Sequence, residues 1–369
     1  MQRFFLLEII SSKLNLTHKF LKGGEMAQHF LLSKEARGIS GSKMLLLSKE
    51  RVIKLLTKII WADNGGKPVC PKCKNNKKNY FLKTTKRFKC PQCSHHFSVA
   101  SGTILQDHKI PLKYYLAAMG FFVNASKGIN AIFLSKELGV EHKTAWVILQ
   151  KIRQVLEKND WEIPFEGECE INRVYYGHYI KPKNRRSNRL DRRKIVKGTE
   201  VAVLSIRQRV SDEERAKGLF GSFRTKTFLI KNENSSIINK IVHKHIKEGS
   251  IIHTDENKAY NDLDTRYDYI LCRVNHKDEY MGFFRENNNQ CESYNARIRR
   301  AFYGVYHRSN VMYMARYASE MAYRENTRRT PSKKVFFDLL SRCLNSPPSD
   351  EFAGYWQGNR RINSNLNEY

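Results

Sequence analysis

The first half of the chain carries its apolar residues at helical spacing. In residues 48–60 they form one stripe, which predicts an amphipathic helix that the glycine-containing stretch at 63–66 ends. The stripe consists of Val52, Ile53, Leu55, Leu56, Ile59 and Ile60. Residues 111–157 repeat this texture, so we expect further helices there.

Beyond Pro164 the pattern changes to short β-prone runs. They lie at 168–176, 199–207, 226–231, 250–254 and 269–274, and a helical stretch at 235–247 separates the third from the fourth. From about 288 to 342 the chain returns to helical spacing with many arginines. The order of these runs predicts a mixed α/β domain.

Composition adds a strong positive charge to this picture. Among 369 residues, 66 Lys and Arg stand against 36 Asp and Glu, which gives a formal charge of +30. Such a charge attracts polyanions, so nucleic acid is the leading partner, with a basic ribosomal or membrane-surface protein as the alternative. No run of about 18 apolar residues occurs, so we expect no membrane span and a cytoplasmic protein.

Four of the eight cysteines form two Cys-x-x-Cys pairs separated by sixteen residues. They are Cys70, Cys73, Cys90 and Cys93. Two residues between thiolates let both sulfurs turn toward one ion, and four thiolates complete the tetrahedron that Zn²⁺ prefers. The spacing predicts a structural zinc ribbon. Redox chemistry or chance pairing is the alternative, although a dithiol enzyme needs only one such pair.

Residues 128–153 predict a helix, a turn at Gly139 and a second helix. The inward face of the second helix consists of Ala145, Ile148, Ile152 and Val155. The remainder supplies candidate DNA contacts, namely Lys143, Thr144, Lys151 and Arg153. The pattern is typical of a helix-turn-helix, but an ordinary hairpin of two helices has the same spacing.

Two further segments combine acidic and basic side chains. The β-prone run at 250–255 ends in Asp255, and a predicted helix at 289–300 brings Glu292 and Arg299 near the same face, because they are seven residues apart. Carboxylates that hold divalent ions beside an arginine suit phosphoryl transfer. Taken alone, Glu292 would equally be a surface acid among basic residues.

Six sequence blocks within residues 26–325 resemble a known family. They are MAQHFLLSKEAR at 26–37, WADNGGKPVCPKC at 61–73, FSVASGTILQDHKIPLKYY at 97–115, LSKELGVEHKTAW at 134–146, HTDENKAY at 253–260 and NNQCESYNARIRRAFYGVYH at 288–307. The family is that of bacterial insertion-sequence transposases with an N-terminal zinc ribbon and an RNase H-like, DDE-type catalytic domain. The blocks occur in the family's order, so the resemblance is specific.

This resemblance implies roles for individual residues. The family's second acid falls on Asp255, its third on Glu292 in a motif that Asn289 begins, and its downstream basic residue on Arg299, where lysine is usual. The two acids would hold catalytic Mg²⁺ or Mn²⁺. The family's first acid instead aligns with Asn172, in a strand that reads Glu-Val-Asp-Glu-Thr-Tyr-x-Gly in the family and Glu-Ile-Asn-Arg-Val-Tyr-Tyr-Gly here.

A neutral amide at Asn172 brings no negative charge to offset divalent ions. We therefore expect impaired turnover, by about 10²–10⁴-fold or more. Glu168 and Glu170 share the strand face of Asn172, so substitution by a neighbouring acid is the alternative; Glu170 is about 7 Å further along.

The resemblance also implies double-stranded DNA as the partner, both the element's ends and its target, and a homo-oligomer on DNA. The basic segment at 181–194, with Arg185 and Arg186, would track a DNA backbone unless it is only a solvated loop. Arg297 and Arg300 complete the candidate DNA contacts. Such a protein is expected to be associated with the nucleoid.

The expected organisation has six parts. Residues 1–25 are either an extension or the result of a start placed before Met26, and 26–66 form a helical segment. A zinc ribbon at 67–100 and a helix-turn-helix-like module at 101–160 precede the RNase H-like domain at 161–330 and a C-terminal helix and tail at 331–369. The function is a transposase with impaired catalysis or, as the alternative, an inactive DNA-binding protein derived from one.

Overall fold

The computed structural model describes most of the chain between residues 33 and 352. The described residues are 33–34, 36, 38–158, 163–176, 201–216, 221–231, 234–263, 268–274, 287–307 and 310–352.

Two helices and a small sheet begin the described chain. Helix α1 spans Gly41–Leu45 and α2 spans Lys49–Ile60, with the Ser48 hydroxyl accepting from the Arg51 N–H at the start of α2. The strands β1 (Tyr80–Leu82), β2 (Arg87–Lys89) and β3 (His96–Phe97) then form an antiparallel sheet in that order. Trp61 packs edge-on against Phe88 and Phe97, so the end of α2 is joined to the sheet by an aromatic cluster.

Three longer helices follow the ribbon. They are α3 (Leu112–Asn124), α4 (Ala131–Leu138) and α5 (His142–Glu157). Asn130 caps α4 by accepting from the Phe133 N–H, and Gly139 ends it at φ 62°, a left-handed conformation that glycine adopts without strain. Two helices thus flank a turn at Gly139, as the sequence predicted. From Ile148 to Leu156, however, α5 is buried on all sides.

A five-stranded mixed sheet forms the second half of the molecule. Its strands are β4 (Glu168–Tyr176), β5 (Val201–Arg209), β6 (Ser222–Ile230), β7 (Ile251–Asp255) and β8 (Ile270–Val274). The order is β6-β5-β4-β7-β8, with β4, β5 and β6 antiparallel and with β7 parallel to both β4 and β8. These strands confirm the five predicted β-prone runs and the mixed α/β, RNase H-like class.

Helices cover both faces of this sheet. They are α7 (Ser235–His245), α8 (Asn289–Ala301) and α9 (Met314–Thr327), while the short helix α6 (Asp212–Ala216) between β5 and β6 has no buried residue. Side chains alternate along β4, so Cys169 and Ile171 belong to the core under α7, whereas Val174 and Tyr176 belong to the core under α8 and α9. The second face carries Asn172, two residues before Val174.

The last helix returns to the N-terminal half. Helix α10 (Ser332–Asn345) contributes Phe336, Leu339 and Leu340 to the same core as the ribbon, α2, α3 and α5. Because α9 connects the sheet to α10, the end of the chain ties the helical module to the RNase H-like domain.

Candidate active site and metal centre

The positions predicted for the first and second acids lie on neighbouring parallel strands. Asn172 lies within β4 and Asp255 ends β7. Glu170 is level with His253, and continuing this register by two residues brings Asn172 level with Asp255. Level residues on adjacent strands direct their side chains to the same face. The pairing of β4 with β7 therefore brings Asn172 and Asp255 to the same side of the sheet.

Helix α8, which carries Glu292, is held against the same strand. Glu292 lies in the first turn of α8, and three hydrogen bonds from residues near it join this end of the helix to β4. The bonds run from the Cys291 N–H to the Glu170 carboxylate at 2.9 Å, from Asn288 Nδ2 to the Ile171 carbonyl at 3.1 Å, and from Asn295 Nδ2 to the Arg173 carbonyl at 3.1 Å. Sequence reasoning missed Asn288 and Asn295, because nothing in a single helix shows which strand its amides will reach.

The Glu170 carboxylate takes part in the contact between α8 and β4. Its side chain is fully buried and accepts from Arg209 Nε at 2.8 Å as well as from the Cys291 N–H. Burial raises the pKa of Glu170 above its ordinary value, and the guanidinium of Arg209 opposes that rise. The same guanidinium reaches Glu168 at 2.9 Å. These contacts do not support the substitution of Glu170 for the missing acid.

Asp255 is paired with a guanidinium. Arg173 Nη1 lies 2.6 Å from Asp255 Oδ2, and the Asn257 N–H donates to Asp255 Oδ1 at 3.2 Å. The carbonyl oxygen of the Asn172 side chain accepts from the Arg173 N–H at 2.6 Å. The residue after the missing acid thus contributes a positive charge to the site.

The remaining residues predicted for this site lie along α8. Asn289 begins the helix, and Arg299 and Arg300 are exposed in its last turn. Arg297 is ion-paired with Glu325 and donates to the Ser293 hydroxyl at 2.8 Å. Helix α8 therefore carries Glu292 and the basic residues together, as the sequence predicted. Arg185 and Arg186 lie outside the described residues.

The four predicted zinc ligands converge. All four sulfurs lie within 4.8 Å of one another, with Cys70 Sγ 3.6 Å from Cys93 Sγ and Cys73 Sγ 3.5 Å from Cys90 Sγ. A tetrahedron of four thiolates at about 2.3 Å from Zn²⁺ has sulfur separations of about 3.8 Å, so the cluster fits this ion.

The backbone around the cysteines forms two matching turns. The Cys70 N–H donates to the Asn75 carbonyl and the Cys90 N–H donates to the His95 carbonyl, both at 3.0 Å. In each turn the residue after the second cysteine, Lys74 or Ser94, has a positive φ. Because each Cys-x-x-Cys motif forms a turn of its own, the two motifs were enough to locate the zinc site in the sequence.

The ribbon also presents a basic face. In β2, Phe88 is buried while Arg87 and Lys89 are exposed, as the alternation of a strand requires. Lys83 in the adjoining hairpin is exposed, and Lys86 pairs with Glu50 at 2.9 Å. Exposed aromatic side chains at Tyr80 and Phe81 lie on β1, the partner strand.

Two of the four residues predicted to contact DNA from the second helix are buried. The side chain of Arg153 is 1% exposed, and its Nε lies 2.6 Å from Glu320 Oε2 in α9. Lys151 Nζ donates to the Gln106 carbonyl at 3.0 Å, and burial lowers the pKa of Lys151 to about 8. The prediction is therefore wrong for both, because α9 and α10 cover the part of α5 that the pattern left as an outer face. Lys143 is exposed and Thr144 is half-buried, in the first turn of α5.

Two regions of the chain match known protein families. A family model described as "ISXO2-like transposase domain" matches residues 164–326, and one described as "Transposase zinc-ribbon domain" matches residues 47–96. The chain is therefore similar, in two separate regions, to the zinc-ribbon, DDE-type insertion-sequence transposases. A protein of Halobacterium salinarum, described as "Uncharacterized protein in transposable element ISH50", is 23% identical to this chain over 306 residues, which cover 81% of this chain and 98% of that protein.

The matched regions coincide with the two centres described above. The zinc-ribbon match contains the four clustered cysteines, and the transposase-domain match contains Asn172, Asp255 and Glu292. Across the described ranges, no helix has both the length and the apolar character needed to cross a membrane.

The DDE domain implies a divalent cation, but the side chains of this chain do not fit one at Asp255. Asn172 is uncharged, and Asp255 already carries the Arg173 guanidinium. Within the described ranges, the four cysteines are the only group of three or more His, Cys, Asp or Glu side chains close enough to hold one ion. The donor set is therefore complete for zinc and incomplete for a catalytic metal.

Proposed function

We propose that this transposase binds double-stranded DNA at the ends of its element and at its target, and that its strand-cleaving activity is impaired. The observation that carries the second part is the parallel pairing of β4 with β7, in which Glu170 is level with His253; the same register continued by two residues would set Asn172 level with Asp255. Metal-dependent cleavage uses carboxylates to hold two ions about 3.5–4 Å apart, so that they stabilise the attacking and leaving oxygens. An amide and a paired aspartate supply less negative charge than two carboxylates.

The support for DNA binding is the distribution of exposed charge. The chain has a formal charge of +30, and the ribbon exposes Arg87 and Lys89 beside a hairpin that exposes Lys83. Lys143 lies at the start of α5, where a recognition helix contacts DNA in the helix-turn-helix family of motifs. Arg299 and Arg300 are also exposed, in the last turn of α8. We assign these residues to phosphate contacts, and Thr144 and Arg297 remain candidates.

The proposal includes the assembly and the location. Joining two ends of one element requires that the protein hold both, so we propose a homo-oligomer on DNA that acts at the nucleoid. The Zn²⁺ ion is assigned a structural role, because four thiolates leave no open position for water.

The test measures binding and cleavage separately. Fluorescence anisotropy with DNA that contains the element's end should show tighter binding than scrambled DNA, and the affinity should fall steeply with salt because bound phosphates release counterions. Nicking of the same DNA with Mg²⁺ or Mn²⁺ should be about 10²–10⁴-fold slower than in a relative with both acids. End binding no tighter than scrambled DNA would refute the first part. Efficient nicking that Asp255→Asn abolishes would refute the second.

The alternative is that the chain retains recognition alone and has no cleavage activity at all. The Arg173–Asp255 ion pair favours this reading, because it adds a positive charge where an ion would bind. The two readings differ in whether Mn²⁺ at high concentration yields a slow cleavage that depends on Asp255.

A further inference from the structure

Both oxygens of Asp255 accept a hydrogen bond. Its Oδ2 accepts from Arg173 Nη1 at 2.6 Å, and its Oδ1 accepts from the Asn257 N–H at 3.2 Å in the turn that follows β7. A cation that approached this carboxylate would meet the positive charge of the guanidinium at hydrogen-bond distance from it. The pair is also partly shielded from solvent, since the two side chains are 18% and 27% exposed.

Arg173 is held in this position by several contacts. Its carbonyl oxygen accepts from Asn295 Nδ2 at 3.1 Å, and its N–H donates to the Asn172 side chain at 2.6 Å. Arg173 Nε donates to the Tyr175 hydroxyl at 3.3 Å, and the guanidinium carbon lies 5.6 Å from the centre of the Tyr175 ring. The backbone of Arg173 is thus fixed by α8 and its side chain by Tyr175, so the charge is directed at Asp255.

The consequences for a divalent ion follow from charge alone. A fixed positive charge within a few ångströms repels a cation, and Asn172→Asp adds a negative charge without removing the positive charge of Arg173. The guanidinium also gives the carboxylate a strong, charge-assisted hydrogen bond. Removing the guanidinium and adding the acid are therefore both needed before the site resembles one that binds metal.

We propose that Arg173 takes the place of the divalent cation at Asp255, so that the site excludes Mg²⁺ and Mn²⁺ and recovers metal binding only when Asn172 and Arg173 are both replaced. This inference rests on the proposed function only in taking Asn172 and Asp255 as the family's metal position. Arg173 is a positioning residue here, because it acts through Asp255.

The test is Mn²⁺ binding to the zinc-loaded protein without DNA, followed by electron paramagnetic resonance of the free ion. Asn172→Asp/Arg173→Gln should bind one Mn²⁺ ion per chain at this site. The natural chain and the single variants Asn172→Asp and Arg173→Gln should each bind Mn²⁺ there at least about tenfold more weakly. Asn172→Asp/Arg173→Lys is the matched control: it keeps the positive charge and should stay as weak as Asn172→Asp. Adding Asp255→Asn to the glutamine double variant should abolish the new binding.

Several results would overturn the proposal. These are tight Mn²⁺ binding by the natural chain that Asp255→Asn removes, equal binding by the glutamine and lysine double variants, and no binding by the glutamine double variant when its thermal unfolding is cooperative. Should that variant not fold, Asn172→Asp/Arg173→Ala takes its place. Because no DNA is present, failure here leaves DNA-end binding intact, and failure of end binding leaves the metal result standing.

Discussion

The main-chain N–H of Cys291 donates to the Glu170 carboxylate at 2.9 Å, and this contact ties the start of α8 to a buried charge on the central strand β4. Glu170 is fully buried, and its other oxygen accepts from Arg209, which is itself 9% exposed. A buried carboxylate with these partners is costly to remove, because its removal leaves Arg209 Nε and the buried Cys291 N–H without this acceptor.

Glu170→Ala is therefore expected to lower the free energy of unfolding by about 3–5 kcal/mol, measured by urea denaturation. Glu166→Ala is the matched control, because Glu166 pairs with Lys247 at 3.7 Å with both side chains about two-thirds exposed. It should change stability by less than about 0.5 kcal/mol. Similar losses in the two variants would mean that Glu170 does not hold α8 to the sheet.

The corrected positions on α5 predict opposite effects for Arg153 and Lys143. Arg153→Ala should destabilise the protein by about 3–5 kcal/mol, since it leaves the buried Glu320 without one of its partners. The fraction that remains folded should bind DNA with unchanged salt dependence.

Lys143→Ala should have the reverse result. It should leave unfolding within about 0.5 kcal/mol of the natural chain and reduce the slope of log affinity against log salt by about 1, because one phosphate contact is lost. Anisotropy titrations at several salt concentrations give both slopes. A folded Arg153 variant with the lower slope would restore Arg153 as a DNA contact.

Glu320 predicts a loss of stability in acid. Burial alone would raise the pKa of Glu320, but the guanidiniums of Arg153 and Arg324 outweigh burial and lower that pKa below its ordinary value. A carboxyl whose folded-state pKa is lowered stabilises the protein above its unfolded pKa, and that stability is lost as the pH falls toward the folded value. The free energy of unfolding should therefore decrease from about pH 5 downward.

The contribution of Glu320 is isolated by comparing the natural chain with Glu320→Gln. The variant should be less stable at neutral pH, and the difference between the two proteins should shrink as the pH falls, because glutamine does not titrate. A difference that stays constant with pH would contradict the assignment.

Zinc removal should unfold the ribbon. Metal analysis should find about one zinc per chain, and Cys90→Ser should lose it together with the protection of the ribbon's amides from hydrogen exchange, since the metal supplies the folding energy of such small units. Cys272→Ser is the control, because Cys272 lies in β8, outside the cluster, and should keep the zinc. A folded, zinc-free natural protein would refute the metal site.

Local patterns in the sequence determined the secondary structure and the zinc ligands. The runs predicted at 168–176, 250–254 and 269–274 became β4, β7 and β8 within one residue at either end, since alternation and β-branched residues report a strand's own burial. The two Cys-x-x-Cys pairs located the zinc site because their spacing fixes the geometry of each turn. Asn172, Asp255 and Glu292 were found through the resemblance, and the tertiary structure paired the strands that carry Asn172 and Asp255 in parallel, with Glu170 level with His253.

Only the tertiary structure decided what surrounds those residues. Arg153 meets Glu320 across 167 positions of sequence, Cys291 meets Glu170 across 121, and Arg173 meets Asp255 across 82. Helical periodicity shows that one side of α5 is buried, but not that α9 and α10 bury the other. Likewise, the parallel pairing of β4 with β7 turns Arg173 from a basic residue in a strand into the partner of Asp255, because contacts between distant elements depend on chain pairing that no local pattern encodes.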